Sequence, residues 1–160
     1  MKSLIRQAAL ASLLVLAAGT ACAGATVTFV QPEHFSDVPF STAERERVLA
    51  SLSEHFTKLS AQLPAGQDLH VEVLDIDLAG QTWPTRMTAQ DLRILTGRAD
   101  WPHIKLRYNV TQGGQVVRSG EENLSDMSYL DHANRYYGGD SLRYEKKMLD
   151  TWFKERIAAR

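Results

Sequence analysis

The chain has 160 residues, with 18 basic and 19 acidic side chains, five histidines and one cysteine. A formal net charge of −1 with the two signs mixed excludes the concentrated basic face that a phosphate backbone requires. The single cysteine excludes an internal disulfide framework.

Lys2 and Arg6 precede a small-apolar stretch over residues 8–18, interrupted by Ser12, and small residues follow from Gly19 to Ala25. This is the three-part pattern of a secretory signal, with a core too short to span a bilayer comfortably. We therefore expect residues 1–25 to be removed and residues 26–160 to form one domain, periplasmic or secreted and not transmembrane after processing. Ala21-Cys22-Ala23 and Ala23-Gly24-Ala25 both offer small-x-small cleavage sites. Cleavage after either leaves a chain without thiols. Acylation of Cys22 is the minority alternative, disfavoured because Gly19 stands where a lipoprotein signal usually has leucine. Loss of Lys2 and Arg6 from the 18 basic residues leaves 16 against 19 acids, a net charge of −3.

Thr26-Val27-Thr28-Phe29-Val30 reads as a first strand, and residues 31–41, with two prolines, as a loop. Ser41-Thr42-Ala43-Glu44 is a capping box. Behind it Val48, Leu49, Leu52, Phe56, Leu59 and Leu63 recur at three- and four-residue steps, predicting an amphipathic helix that ends at Pro64-Ala65-Gly66. Residues 69–78 form a second strand whose parity breaks: Leu69, Val71 and Val73 share one face, Leu74, Ile76 and Leu78 the other. Either both faces are buried or a bulge lies near Val73-Leu74. Residues 80–87 read as loop and 91–95 as a short strand. Residues 103–111 alternate cleanly, and Gly113-Gly114 supplies the positive φ angles of a hairpin turn. A regular two-residue turn pairs Val110 with Val117, Tyr108 with Ser119, Leu106 with Glu121 and Lys105 with Glu122. Residues 125–140 are polar and aromatic. A last helix begins near Asp140 or Ser141, its stripe being Leu142, Glu145, Met148, Leu149, Trp152, Phe153 and Ile157. The order β-α-β-(β)-β-β-α predicts an α+β fold: a mainly antiparallel sheet of four to five strands with both helices packed on one face.

Catalytic motifs are absent. His34, His55, His70, His103 and His132 are scattered without metal-ligand spacing, and His55 reads as a boundary residue of the first helix. No nucleophile elbow, phosphate loop or dinucleotide fingerprint occurs, and no cofactor is implied. Three groups of side chains do look out of place. Asp75 and Asp77 project from one face of a strand, where they could offer oxygens to a divalent cation or split two pKa values, or pair with Arg86, Arg93 or Arg107. Glu121 falls, in the regular hairpin register, beside Leu106 and Tyr108. There it must be protonated, paired with an arginine, or at the wet end of the sheet. The loop holding Asp126, Met127, Tyr129, Leu130, Asn134, Arg135, Tyr136 and Tyr137, together with Trp83 and Trp101, has the composition of a recognition surface. The same residues would also serve as plugs at the ends of a small core.

Taken together, several stretches resemble the family of exported, mostly proteobacterial proteins known as the domain of unknown function DUF3016. They are Val27-Thr28-Phe29-Val30, Leu63-Pro64-Ala65-Gly66, the run from Val71-Glu72-Val73 through Asp75-Ile76-Asp77 to Gly80, Ala99-Asp100-Trp101-Pro102, Ser119-Gly120-Glu121-Glu122, Leu124-Ser125-Asp126-Met127, and Tyr144-Glu145-Lys146-Lys147-Met148-Leu149 with Trp152-Phe153. The resemblance covers the mature chain. It implies an exported single domain and brings no catalytic residues with it. The sequence reading is a non-enzymatic accessory protein that binds an envelope protein or another envelope component, with Asp75, Asp77, Trp101, Glu121, Asp126 and Tyr129 as candidate binding residues. The alternatives are a metal-dependent or acid-base hydrolase built on Asp75 and Asp77, and a carrier with a pocket between helices and sheet.

Overall fold

A computed structural model of the protein describes residues 24–83, 92–136 and 138–158. The expected leader up to Ala23, Arg86 and Tyr137 lie outside them. Strand β1 (Ala25–Phe29) leads through a 3₁₀ turn at Pro32–His34 into helix α1 (Thr42–Ser60). Strand β2 (Gln67–Asp77) is followed by the short strands β3 (Gln81–Trp83) and β4 (Leu92–Ile94). The hairpin β5 (His103–Gln112) and β6 (Gln115–Ser125) precedes helix α2 (Arg143–Trp152), which widens into a π turn at Phe153–Ile157. The main sheet has the order β1-β2-β5-β6 and is antiparallel except for the β1–β2 pair, while β3 and β4 form a separate ribbon. The fold is α+β, mostly antiparallel, as the element order predicts. The strand β3 falls in a segment the sequence reads as loop.

One face of the main sheet is apolar and the other is wet. Strand β5 buries Ile104, Leu106, Tyr108 and Val110 while Lys105 and Arg107 stay exposed, as a period of two requires. The parity break in β2 is resolved by a bulge, for the pairing register shifts between Val73 and Asp75. Leu74 is the extra residue, so Leu69, Val71, Val73 and Ile76 all reach the same core. Both helices contribute to that core: Leu52, Phe56 and Leu59 from α1, Met148, Leu149 and Trp152 from α2. The Trp152 ring meets Phe56 edge-on at 6.3 Å and Tyr108 at 5.5 Å, joining the two helices to the sheet. Stripping a ring from such a position costs about 3–5 kcal/mol.

The bulge also shapes the sheet edge. The Val30 N–H donates to the Val73 carbonyl (2.9 Å) before it, and the Asp37 N–H donates to the Ile76 carbonyl (2.9 Å) after it. The intervening 3₁₀ turn spans the irregularity.

The hairpin turn has Gly113 at φ 58° and Gly114 at φ 79°, as a two-residue turn demands. Its strands do not run in the regular register, however, because a second bulge lies beside the turn: Thr111 faces Val116 but Val110 faces Arg118. Tyr108 therefore faces Gly120, Leu106 faces Glu122, Arg107 faces Glu121 and Lys105 faces Asn123. The one-residue insertion moves Glu121 to the wet face, where it meets Arg107 (3.0 Å) and Lys105 (3.3 Å), and Arg107 also reaches Glu72 (3.1 Å). Such exposed pairs are screened by solvent and contribute little to stability.

Helix α1 starts behind Ser41, but no side-chain bond caps it. The Arg45 guanidinium instead donates to the Pro39 and Phe40 carbonyls (3.3 and 3.2 Å), so the expected capping box is not formed. Helix α2 begins at Arg143, two to three residues beyond the expected start. Its whole predicted stripe is buried, Glu145 included.

A side chain at position 120 would meet the Tyr108 ring: an added Cβ lies 2.9 Å from it. Tyr108 is buried and cannot swing away. Gly120→Val is expected to lower unfolding stability by about 1–3 kcal/mol. Urea denaturation checks this, and an unchanged midpoint would contradict the packing described.

Candidate functional site

The polar centre of the molecule is built around a buried turn. Leu78, Ala79 and Gly80 leave the end of β2 buried, so their peptide groups need partners from the protein. The Leu78 N–H donates to the Asp37 carbonyl (3.3 Å) and the Gly80 N–H to the Asp100 carbonyl (2.8 Å). The Ala79 N–H donates to Glu145 Oε1 (2.8 Å). Arg93 Nη1 stands 3.0–3.2 Å from the Leu78, Ala79 and Gly80 carbonyls and 2.8 Å from Asp37 Oδ2. Gly80 sits at φ 84°, and a Cβ there would lie 2.6 Å from the Ile94 carbonyl oxygen, so glycine is required on both counts.

The two strand carboxylates have separate surroundings. Asp75 accepts from the Ser36 N–H (2.7 Å) and the Ser36 hydroxyl (2.6 Å), as well as from the Ile76 N–H (2.9 Å). It thereby holds the edge segment opposite the β2 bulge. Asp77 faces His103 across the β2–β5 pair, with Oδ2 3.6 Å from Nδ1. Trp101 donates its indole N–H to His103 Nε2 (2.8 Å). An indole nitrogen only donates, so Nε2 presents its lone pair and the Nδ1 side of the ring faces Asp77. Burial pushes the Asp77 carboxyl up, and the Asp37 and Asp75 charges add to this against the pull of His103 and Arg93. Among the described residues no group of three or more His, Cys, Asp or Glu side chains is placed to hold a metal.

Asp126 and Tyr129 lie in a turn after β6. Asp126 Oδ1 accepts from the Ser128 N–H (3.1 Å), and the Asp126 N–H reaches the Pro102 carbonyl (3.4 Å). Tyr129 is an interior residue, 1 % exposed. Its hydroxyl donates to Asp100 Oδ1 (3.1 Å) and its ring meets Tyr144 edge-on at 4.8 Å. Burial, with this bond to Asp100, raises the Tyr129 hydroxyl to about 12. Burial also acts to raise the Asp100 carboxyl, but the Thr96 N–H (2.6 Å), the Thr96 hydroxyl (2.8 Å) and Tyr129 outweigh it and hold the group below its usual value.

Of the six sequence candidates, Asp75, Asp77 and Trp101 thus come together at one end of the sheet. Glu121 stands apart, midway along the outer face, and Tyr129 is unavailable for direct contact. Sequence reasoning passed over Glu145 and Asp100 as site residues, and it offered Arg93 only as a partner for Asp75 or Asp77, whereas Arg93 pairs with Asp37 (2.8 Å). Glu145 carried a signal: it is an acid at a core position of the α2 stripe.

His55 departs from its expected boundary position. It is buried, 3.1 Å from Asp150 Oδ1, and packs edge-on against Tyr136. The other Asp150 oxygen receives Arg135 (2.8 Å) and the Tyr136 hydroxyl (2.8 Å). Burial lowers the His55 value more than Asp150 raises it.

Residues 23–155 match the family described as protein of unknown function (DUF3016). The chain belongs to this family. The match takes in every strand of both sheets and both helices of the described fold. No curated protein and no solved structure matches the chain.

Glu145 gives a pH test of the buried turn. Its Oε2 has no hydrogen-bond partner among the described residues, and burial pushes its carboxyl up more than the Ala79 N–H and Arg93 pull it down. A carboxyl raised by folding binds its proton more tightly in the native state. Its contribution to stability is complete below the unfolded carboxyl value and is lost as pH rises through the folded one. Glu145→Gln should match wild type near pH 4 and become more stable by about 1–3 kcal/mol near pH 8. Denaturant titrations at both pH values check this, and a difference independent of pH would refute it.

Proposed function

We propose that the mature protein is a non-enzymatic binding protein of the bacterial envelope that meets a partner protein or envelope component through the outward face of the β3–β4 ribbon. The observation that carries this reading is an exposed apolar row: Trp83 is 56 %, Leu92 55 % and Ile94 37 % exposed. Trp83 pairs directly with Leu92, and Ile94 lies two residues further along the same side. Thr82 and Arg93 occupy the other side of the ribbon, and Arg93 is tied to the buried turn. The apolar row is therefore directed away from the body of the molecule. Exposed aromatic and aliphatic side chains grouped on one side of a strand pair are the anchors that recognition surfaces use.

Met127 and Leu130, 70 % and 44 % exposed, extend the apolar surface of the neighbouring turn. A Cβ on Gly97, in the connection from β4, would lie 3.0 Å from Leu130. The recognition role that the sequence reading gave to Tyr129 passes to these residues. Asp75 and Asp77, with their Ser36 and His103 neighbours, act in this reading as supports of the sheet end.

Export is tested by the mass of the protein recovered from its own cells. A chain beginning near Gly24 or Thr26 is expected, and retention of Met1 in the isolated protein would exclude a cleaved leader. Binding is tested by placing a photoreactive benzoylphenylalanine at position 83, and at Lys154 as control, in the producing organism. A discrete cross-linked species from position 83 alone is expected. Equal cross-linking from both positions, or none from position 83, would remove the ribbon from consideration.

A further inference from the structure

Strand β6 is an edge of the main sheet. It pairs with β5 on one side, and among the described residues no backbone pairs with its other side. Along such an edge every second residue turns its N–H and C=O outward. Near the hairpin turn the edge is covered, because Arg118 donates to the Arg156 and Ile157 carbonyls of the turn that follows α2. Further along, a groove of about 580 Å³ runs between β6 and α2. Glu122, Asn123, Leu124 and Ser125 all line it. Consecutive side chains of a strand point to opposite faces, so a groove that touches four residues in a row lies along the strand's edge, beside its outward backbone groups. Four strand residues span roughly 14 Å, room for a short extended segment. Met148, Thr151 and Glu155 stand on the helix wall, and no lining residue belongs to the β3–β4 ribbon.

Acids surround this edge. Glu122 lies on its inner side, opposite Leu106, and Glu121 on its outer side, opposite Arg107. Asp126 and Glu155 line the groove as well. Of the two lysine and arginine side chains on the lining, Arg156 lies against Glu122 (3.8 Å), and the Lys147 Nζ is shut off from solvent. Across the outer face the row Glu72, Arg107, Glu121 alternates in sign and stops at an acid on the open edge. A basic residue on an added strand continues that alternation. A second copy of β6 would instead bring another Glu121-Glu122 pair to the same edge, where like charges repel.

We propose that the open edge of β6 accepts an extended basic segment of a partner protein as a fifth strand, laid in the groove beside α2. Main-chain hydrogen bonds supply the attachment, and the acids on both sides of the edge select lysine or arginine. This goes beyond the partner-binding reading and does not depend on it, since the ribbon takes no part.

The test uses the ¹⁵N-labelled mature protein titrated with a capped peptide alternating lysine and valine, and with its glutamate–valine counterpart. The lysine peptide is expected to shift the amide resonances of residues 119–125 in a saturable way and to slow their hydrogen exchange. The glutamate peptide, and the lysine peptide with Glu155→Lys protein, should each bind more weakly by about fivefold or more. Two N-methylated versions of the lysine peptide, one methylated at the lysines and one at the valines, should differ. One should lose binding and the other keep it, because only every second N–H of an added strand faces its neighbour. Unmoved resonances over residues 119–125, equal binding of the glutamate peptide, or equal binding of the two methylated versions overturns the proposal. A dimer in sedimentation whose β6 amides are protected before any peptide is added would assign the edge to a second copy and overturn it too.

Discussion

A turn of three residues, Leu78 to Gly80, is buried in the protein, and the rest of the architecture supplies partners for its peptide groups. An unanswered buried N–H or carbonyl costs about as much as a lost hydrogen bond, so partners have to arrive from elsewhere in the chain. They come from four places: Asp37 on the edge segment, Arg93 on β4, Asp100 in the loop before β5, and Glu145 on α2. Each of these is far from the turn in at least one connection of the fold. The turn therefore sets the position of α2 against the end of β2 and holds the ribbon to the body.

The carboxylates around this turn are sorted by what they meet. Asp100 receives the Thr96 N–H and hydroxyl, the Tyr129 hydroxyl and the Arg98 N–H and is held as an anion, whereas Glu145 receives only the Ala79 N–H and its own N–H and is driven toward its neutral form. Burial acts in the same direction on both, and the number of donors decides the outcome. Asp77 stands between these cases, nearer to solvent and beside other acids. The outer sheet face follows a different rule. Arg107, flanked by Glu72 and Glu121, makes a screened ladder in water that keeps the wet face soluble and contributes little to stability.

Two one-residue insertions have larger consequences than any single contact. At Leu74 the insertion brings Ile76 to the same face as Val73, making β2 one continuous inner row. At Val117 it turns Glu121 outward and sets Gly120 under the Tyr108 ring. Both follow from the period-two geometry of a strand, in which one extra residue exchanges the faces of everything beyond it.

The amphipathic stripes of α1 and α2, the glycine turn of the hairpin and the alternation of β5 were legible in the sequence, because each depends on residues within one or two turns of backbone. The first bulge was legible too, since Leu69, Val71 and Val73 conflict in parity with Leu74, Ile76 and Leu78 and only a local irregularity or two buried faces reconciles them. The second left no such mark: Val116 and Val117 are both apolar, both are exposed, and either fits a regular strand. The site was legible only in part. Asp75 and Asp77 stood out as a pair, but their partners Ser36 and His103 lie 39 and 26 residues away in sequence, and pairing across such distances is a property of the sheet. Glu145 was visible as a polar residue in an apolar stripe, yet what it binds, the Ala79 N–H, is a backbone group that no side-chain pattern reports. Local chemistry thus decided which segments become helices and strands, whereas tertiary packing decided which charges are buried, paired or open, because solvation and hydrogen-bond partners exist only once distant segments have met.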